Sequence, residues 1–201
     1  RGTNYIMEVV TEIEISDKQD FESNRIASMD LGVNNFVTLT NNIGLQPIII
    51  NGKGIKSINQ MYNKQKAKLQ SELMKRNKEH WSKALDILTF KRSMRIKNFM
   101  HHASKYILQY CIENHIDTLI CGLNKTWKQK CSMSKETNQK FIYIPYDMLI
   151  RQLNYKSQNV GIKFIVYEES YTSGTSFLDG EIPCKENYDN SRRVQRGLFQ
   201  A

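Results

Sequence analysis

Proline is scarce in this chain: Pro47, Pro145 and Pro183 are the three among 201 residues. Long helices are therefore not barred over most of its length, and no proline-rich linker divides it. The four cysteines, Cys111, Cys121, Cys131 and Cys184, stand far apart and never form a C-x-x-C pair. A zinc site thus has no support, disulfides are not expected in a reducing compartment, and free, mostly buried thiols are the expectation. No apolar run is long enough to span a bilayer and no signal-peptide pattern opens the chain. The expected setting is cytoplasmic and nucleoid-associated, with no membrane partner. Acidic residues are in deficit too, 20 Asp and Glu against 29 Lys and Arg, a formal net charge of +9. That balance points to a polyanion, most simply nucleic acid. The length suits one domain with a substantial core, alone or with a small appendage. Residue 1 is Arg rather than Met, as expected of a piece of a longer protein.

Positive charge is unevenly placed. The first thirty residues are mildly acidic, whereas Lys53 to Lys105 holds 14 Lys or Arg against Glu72, Glu79 and Asp86, a net +11. Periodicity supplies the coarse structure. Residues 4–15 alternate like a strand exposed on one side. Residues 25–31, 35–41 and 45–50 read as three short strands joined by turns at Gly32-Val33-Asn34 and Asn41-Asn42-Ile43-Gly44. A helix is expected over 56–78, with Ile58, Met61, Tyr62, Leu69 and Leu73 on one stripe. A longer one is expected over 83–114, with Ile96, Phe99, Met100, Ala103, Tyr106, Ile107, Tyr110 and Cys111 at 3–4 spacing. Thr118-Leu119-Ile120-Cys121 reads as a short buried parallel strand. Pro145 suits the first turn of a helix over 145–159, and 162–167 reads as a last strand. The fold class is α/β, with strands, long helices, strand, helix, strand in that order.

Within this frame Ile26-Ala27-Ser28-Met29-Asp30-Leu31-Gly32 is an apolar strand with one acidic residue. A carboxylate inside a strand is costly to bury unless it meets a cation or a strong donor. Asp30 is therefore either a metal ligand or simply the start of a turn, a role in which Asp and Gly are common. Both the element order and the placing of Asp30 resemble metal-dependent nucleases of the ribonuclease H type.

The resemblance becomes specific over eight segments that occur in order. They are Asp30-Leu31-Gly32-Val33-Asn34-Asn35, Asn51-Gly52-Lys53, Gly122-Leu123-Asn124-Lys125-Thr126-Trp127-Lys128-Gln129, Asn138-Gln139-Lys140-Phe141, Ile144-Pro145-Tyr146, Leu153-Asn154-Tyr155-Lys156, Glu169-Ser170-Tyr171-Thr172-Ser173 and Arg196-Gly197-Leu198-Phe199. Together they resemble the RuvC nuclease core of TnpB (OrfB), a transposon-encoded family akin to type V CRISPR effectors. The resemblance implies a ribonuclease H-like mixed sheet with a basic helical insertion, residues 56–114, between strands 3 and 4. It implies a nuclease core over 1–171, and over 172–201 a loop region in place of the family's zinc ribbon, whose cysteines are missing apart from Cys184. By the same resemblance the function is Mg²⁺-dependent, RNA-guided DNA cleavage associated with transposition, with DNA and guide RNA as partners.

Departures qualify that expectation. Many members carry a second catalytic glutamate where this chain has Cys121-Gly122, and in similar subgroups it stands just before Tyr-Thr-Ser, here Glu168-Glu169. The expected catalytic set is Asp30 with Glu169 or Glu168, and the expected metal ligands are Asp30 and Glu169. A Glu one strand further out reaches Asp30 across a Gly122 that has no side chain; otherwise both glutamates are solvated at a strand end. The third acidic residue belongs to a segment after Arg-Gly-Leu-Phe, and this chain stops at Gln200-Ala201. Asp179, Glu181 and Asp189 are weak substitutes. Two-metal hydrolysis needs ions about 3.5–4 Å apart, held by carboxylates and water, so this stretch alone is expected to be a poor nuclease. The alternative reading is a non-catalytic nucleic-acid-binding remnant.

For binding, the candidates are Lys64, Lys66, Lys68, Lys75, Arg76 and Lys78 on the first helix and Lys91, Arg92, Arg95 and Lys97 on the second, placed to follow a phosphate backbone. Tyr62, Trp81 and Phe90 either stack on bases or pack the helices together. His101 and His102 read as packing or phosphate contacts before metal ligands. Trp127 and Lys128 serve either packing or substrate contact.

Overall fold

The computed structural model describes residues 7–10, 12, 24–76, 79–123, 144–195 and 198–200. In chain order its elements are β1 (Ile26–Leu31), β2 (Asn35–Asn41), β3 (Ile48–Asn51), α1 (Lys53–Arg76), α2 (Lys83–Glu113), β4 (Thr118–Gly122), α3 (Tyr146–Asn159), β5 (Lys163–Tyr167) and a small pair, β6 (Arg193–Gln195) and β7 (Leu198–Phe199). The first five strands form one sheet in the order β3-β2-β1-β4-β5. β1, β2 and β3 are antiparallel neighbours, while β4 runs parallel to β1 and β5 parallel to β4. This is the mixed sheet, with helices between strands 3 and 4, that the sequence led us to expect.

Strand alternation decides which face meets the helices. Ala27, Met29 and Leu31 of β1 and Leu119 and Cys121 of β4 are buried, with Val37 and Leu39 of β2. They join Ile96, Met100, Ala103, Ile107 and Cys111 of α2 and Leu149 and Leu153 of α3 in one core. Ser28 and Asp30 fall on the opposite face and are exposed. The stripe expected on α2 is buried or half-buried throughout except for Tyr106, which is 54% exposed. Ser82 caps α2 by accepting from the Leu85 N–H at 3.2 Å.

The helices differ in small ways from the periodicity. α1 begins at Lys53 rather than 56, because the Asn51 side chain accepts from the Lys53 N–H (2.7 Å) and starts the turn. Gly52 and Gly54 interrupt the apolar pattern there and conceal that start. Pro145 sits just before α3 rather than in its first turn, with its carbonyl accepting from the Met148 N–H. The strand expected over 4–15 is corrected: residues 7–10 and 12, those described from that stretch, form no strand, and Met7, Val9 and Val10 are strongly exposed. An alternating pattern becomes a strand only beside a partner, and among the described residues the five-stranded sheet is assembled without it.

The turn after Asp30 is tightly boxed. The Gly32 N–H donates to Phe36 O (3.2 Å) and the Gly52 N–H to Asn34 O (2.9 Å). From below, the Tyr146 hydroxyl donates to Gly32 O at 2.8 Å. Its ring stacks on Phe36 (centroids 5.8 Å), which meets Phe99 of α2 edge-on at 5.2 Å. A Cβ on Gly32 would lie 2.6 Å from the Asn35 carbonyl oxygen, a backbone atom that cannot swing aside. Gly32→Ala is therefore expected to destabilise the fold by about 2–3 kcal/mol, lowering Tm by roughly 4–12 °C for a chain of this size. Thermal unfolding checks this, and an unchanged Tm would mean the turn is slack.

Candidate active site

Asp30 sits at the carboxyl end of β1, opposite Thr38 of β2. On the other side the register pairs Met29 with Cys121, so the next step sets Asp30 beside Gly122, and Gly122 in turn pairs with Tyr167 of β5. Three parallel strand ends thus converge, the usual place for a ligand site in an open α/β sheet. Two residues past Tyr167 the Glu169 side chain folds back over Gly122. A Cβ on Gly122 would stand 2.9 Å from the Glu169 carboxyl carbon and 3.0 Å from each of its oxygens. The carboxylate occupies the space that any side chain at 122 would fill.

Electrostatics place the two acids in one neighbourhood. The Glu169 carboxyl is raised above the ordinary range, first by burial, then by the negative charge of Asp30, then by Glu168. Beneath them the Cys121 thiol is pushed up to about 12 by burial and by the charges of Glu169 and Asp30, which favours the protonated thiol. Burial and Asp30 likewise raise the Tyr146 phenol, which keeps its proton for the bond to Gly32. Glu168 is exposed and accepts from the Ser170 hydroxyl at 2.8 Å. The backbone of Glu169 is held by the Thr172 hydroxyl, which donates to its carbonyl at 3.0 Å. Between them Tyr171 takes a left-handed conformation, φ 70°, with its ring edge-on to Tyr188. A non-glycine residue seldom adopts that conformation, and such backbone recurs beside functional groups.

Two oxygen-bearing acids at one strand edge suit a hard divalent cation. Among the described residues no group of three or more His, Cys, Asp and Glu is arranged to hold a metal. The weak substitutes for a third acid have other commitments. Glu181 pairs with Arg192 (2.9 Å) and accepts from the Ser176 N–H, Asp179 lies 3.3 Å from Arg192, and Asp189 accepts from the Ser191 N–H and hydroxyl. These bonds hold the 176–192 stretch together. Cys111 and Cys121 are buried free thiols and Cys184 is half-buried; Cys131 lies outside the described residues.

The basic candidates divide in two. Lys64, Lys68, Lys75, Arg76, Lys91, Arg95 and Lys97 are exposed on the α1–α2 hairpin. Arg92 instead points between the helices, donating to the Asn59 side chain at 2.8 Å and lying 5.0 Å from the Tyr62 ring centroid. Tyr62 is buried, bonded to Thr89, with Lys66 on its ring, so it closes the hairpin. Trp81 and Phe90 remain exposed. Lys78, Trp127 and Lys128 lie outside the described residues. Sequence reading assigned no role to Tyr146 or to Gly52, although both stand in motifs; their signal was an aromatic at a helix start and a glycine ending a strand. No helix among the described residues is long and apolar enough to cross a membrane.

With this geometry in hand, the similarities to known proteins acquire meaning. Residues 6–128 match OrfB_IS605, a family described as probable transposase. The chain belongs to that family. Its fold is similar to a chain of the cryo-EM structure of a Cas12f1–sgRNA–target DNA complex, with TM-score 0.62 and 16% identity over 85% of this chain and 33% of the other. A chain of a CRISPR–Cas12f ternary complex is similar at TM-score 0.59 and 15% identity, covering 93% of this chain and 34% of that one. This OrfB-family chain thus spans about a third of the length of those Cas12f chains. No curated protein matches its sequence.

Proposed function

We propose that this OrfB-family chain forms the nuclease core of a transposon-encoded, RNA-guided DNA endonuclease, with Asp30 and Glu169 as the acids that hold Mg²⁺. The observation that carries the reading is the Glu169 carboxylate lying over Gly122 within the field of Asp30. Bound Mg²⁺ would activate water and neutralise charge at the scissile phosphate. The rest is done by the chain. The boxed turn at Gly32 fixes where β1 ends and so where Asp30 stands. The bond from Thr172 and the turn at Tyr171 return Glu169 toward it. Lys64, Lys68, Lys75, Arg76, Lys91, Arg95 and Lys97 line the hairpin as phosphate contacts. DNA and guide RNA are the partners proposed, by analogy with the Cas12f1 assembly, which holds sgRNA and target DNA.

The deciding experiment is DNA cleavage by the longest chain the reading frame encodes, with guide RNA, in Mg²⁺ and in chelator, for the wild type and Asp30→Asn. Cleavage that survives chelation or Asp30→Asn would refute the reading. A second measurement needs no activity. At ten times its Kd, Mg²⁺ bound to the folded state stabilises it by about 1.4 kcal/mol, an expected rise in Tm of about 3–6 °C. The rise should vanish in Asp30→Asn/Glu169→Gln, and an equal rise in that variant would place the ion elsewhere. One observation favours a second reading, a nucleic-acid-binding protein that does not cut: the described residues bring no third acid to the site. Binding without cleavage in Mg²⁺ is its signature.

A further inference from the structure

A second basic surface lies between α2 and α3; it shares no residue with the carboxylate site and meets the hairpin contacts only at Lys97, one turn before His101 on α2. It is an open groove of about 510 Å³. His101, His102 and Lys105 form one wall, Lys156 and Asn159 the other, and the buried Leu108 its floor. Among the described residues no carboxylate lines it, and Glu113, on the same helix, is engaged by the Gln109 side chain at 2.9 Å. The Lys156 ammonium is held in place by buried groups. It donates to the Ser104 hydroxyl at 2.6 Å and to the His101 carbonyl at 3.3 Å, and Ser104 in turn donates to Gln152. Ser104 and Gln152 are 0% and 5% exposed. Two buried polar residues whose visible task is to set one lysine at a groove wall make that lysine preorganised for an anion.

The charge arrangement fits the same purpose. Lys97, His101 and Lys105 recur every fourth residue, so they form one stripe along α2 at about 6 Å steps. That is close to the step between successive phosphates along a strand. Burial, then the positive charges of Lys156 and Lys97, holds the His101 imidazole below its usual range, and burial, then Lys105, lowers Lys156. The like charges that the packing brings together here are the three lysines Lys97, Lys105 and Lys156, and a bound polyanion neutralises them.

We infer that the α2–α3 groove is a phosphodiester-binding site that holds a stretch of nucleic-acid backbone along Lys97, His101 and Lys105, with Lys156 gripping from the opposite wall. The site rests on the nucleic-acid reading above and extends it from Lys97, the last of the hairpin contacts, to the face between α2 and α3. Its amides (Asn98, Gln109 and Asn159) supply neutral donors beside the charges, and because the charged contacts go to the backbone, which carries no sequence information directly, it should bind with little sequence preference.

The test is a salt titration of single-stranded DNA and RNA binding, followed by fluorescence anisotropy, on the wild type, Lys105→Gln and Lys105→Gln/Lys156→Gln. Each lysine that no longer neutralises a phosphate of a single strand should flatten the log–log salt slope by about 0.7 and weaken binding roughly fivefold at 0.1 M salt. The double variant should therefore bind about 25-fold more weakly. Lys105 is exposed and has no role in the buried network, so the single variant keeps the test valid if Lys156→Gln perturbs the helix packing. Wild-type binding with unchanged slopes in both variants overturns the groove and leaves the hairpin reading standing. Absence of any wild-type binding overturns both. Loss of inorganic phosphate binding in the variants with oligonucleotide affinity intact would show a small-anion pocket and also overturn the inference.

Discussion

Glu169→Gln is expected to lower Mg²⁺-dependent DNA cleavage by about three orders of magnitude, a loss of roughly 4 kcal/mol in transition-state stabilisation. Affinity for DNA and RNA should stay within about twofold of the wild type, because phosphate contacts and not this acid supply most of the binding. The amide is nearly isosteric and keeps its packing over Gly122, but it carries no charge for a cation. Glu168→Gln should leave cleavage nearly unchanged, since that side chain is exposed and bonded to Ser170. Full cleavage by the double variant Glu168→Gln/Glu169→Gln would remove both from the mechanism. Stability should move the other way. The Glu169 carboxyl is raised in the folded protein by burial and by Asp30. An acid with a raised folded value costs stability once pH exceeds that value, and the cost disappears below the unfolded value near 4.3. Metal-free Glu169→Gln should therefore melt higher than the wild type at pH 7, and the gap should close as pH falls toward 4. A gap that is independent of pH would mean that Glu169 is solvated and unstressed.

Gly122→Ala isolates the geometry from the charge. The new methyl would stand 2.9 Å from the Glu169 carboxyl carbon, closer than real contacts come, and 3.0 Å from each of its oxygens, so the carboxylate must shift. Unlike Gly32, whose obstacle is a backbone carbonyl, the obstacle here is the end of a flexible side chain, which moves at little cost. Gly122 lies in regular strand, and the alanine also reduces the freedom of the unfolded chain, worth about 0.4–1 kcal/mol in the favourable sense. Tm should therefore change by no more than about 4 °C. Cleavage and Mg²⁺ affinity should fall by about 10–100-fold, the range for disturbed support of a metal ligand. The combination of near-normal stability with a weakened metal response is what separates a displaced carboxylate from a damaged fold. Wild-type metal affinity in Gly122→Ala would show that Glu169 can serve from another position.

Much of the sheet was legible because its strands are bounded by turn residues and alternate cleanly. Ala27, Met29 and Leu31 announce β1, and the stripe from Ile96 to Cys111 announces α2. The alternation at 4–15, whose described residues 7–10 and 12 form no strand, shows the limit of such patterns, since alternation reports a possible face without naming a neighbour to pair with. Charge reading had a similar limit. Lys64 and Arg92 look alike in sequence, yet one is exposed and the other is bonded to Asn59 inside the hairpin. Of the α2–α3 groove the sequence offered only His101 and His102 as candidate phosphate contacts, because Lys105 and Lys156 are far apart along the chain and meet only when the helices pack.

Sequence by itself determined the family, the element order, the basic character of the helical hairpin, and the presence of one acid in β1 with two more beyond β5. Those are properties of residue type and spacing along the chain. Tertiary structure alone decided which of the adjacent glutamates turns toward Asp30. Parallel pairing brings Asp30, Gly122 and Tyr167 into one row, and the turn through Tyr171 folds Glu169 back over the glycine while Glu168 faces solvent. Neighbouring residues at a strand end point in opposite directions, so their order in the sequence leaves the choice open until the register of three strands is set.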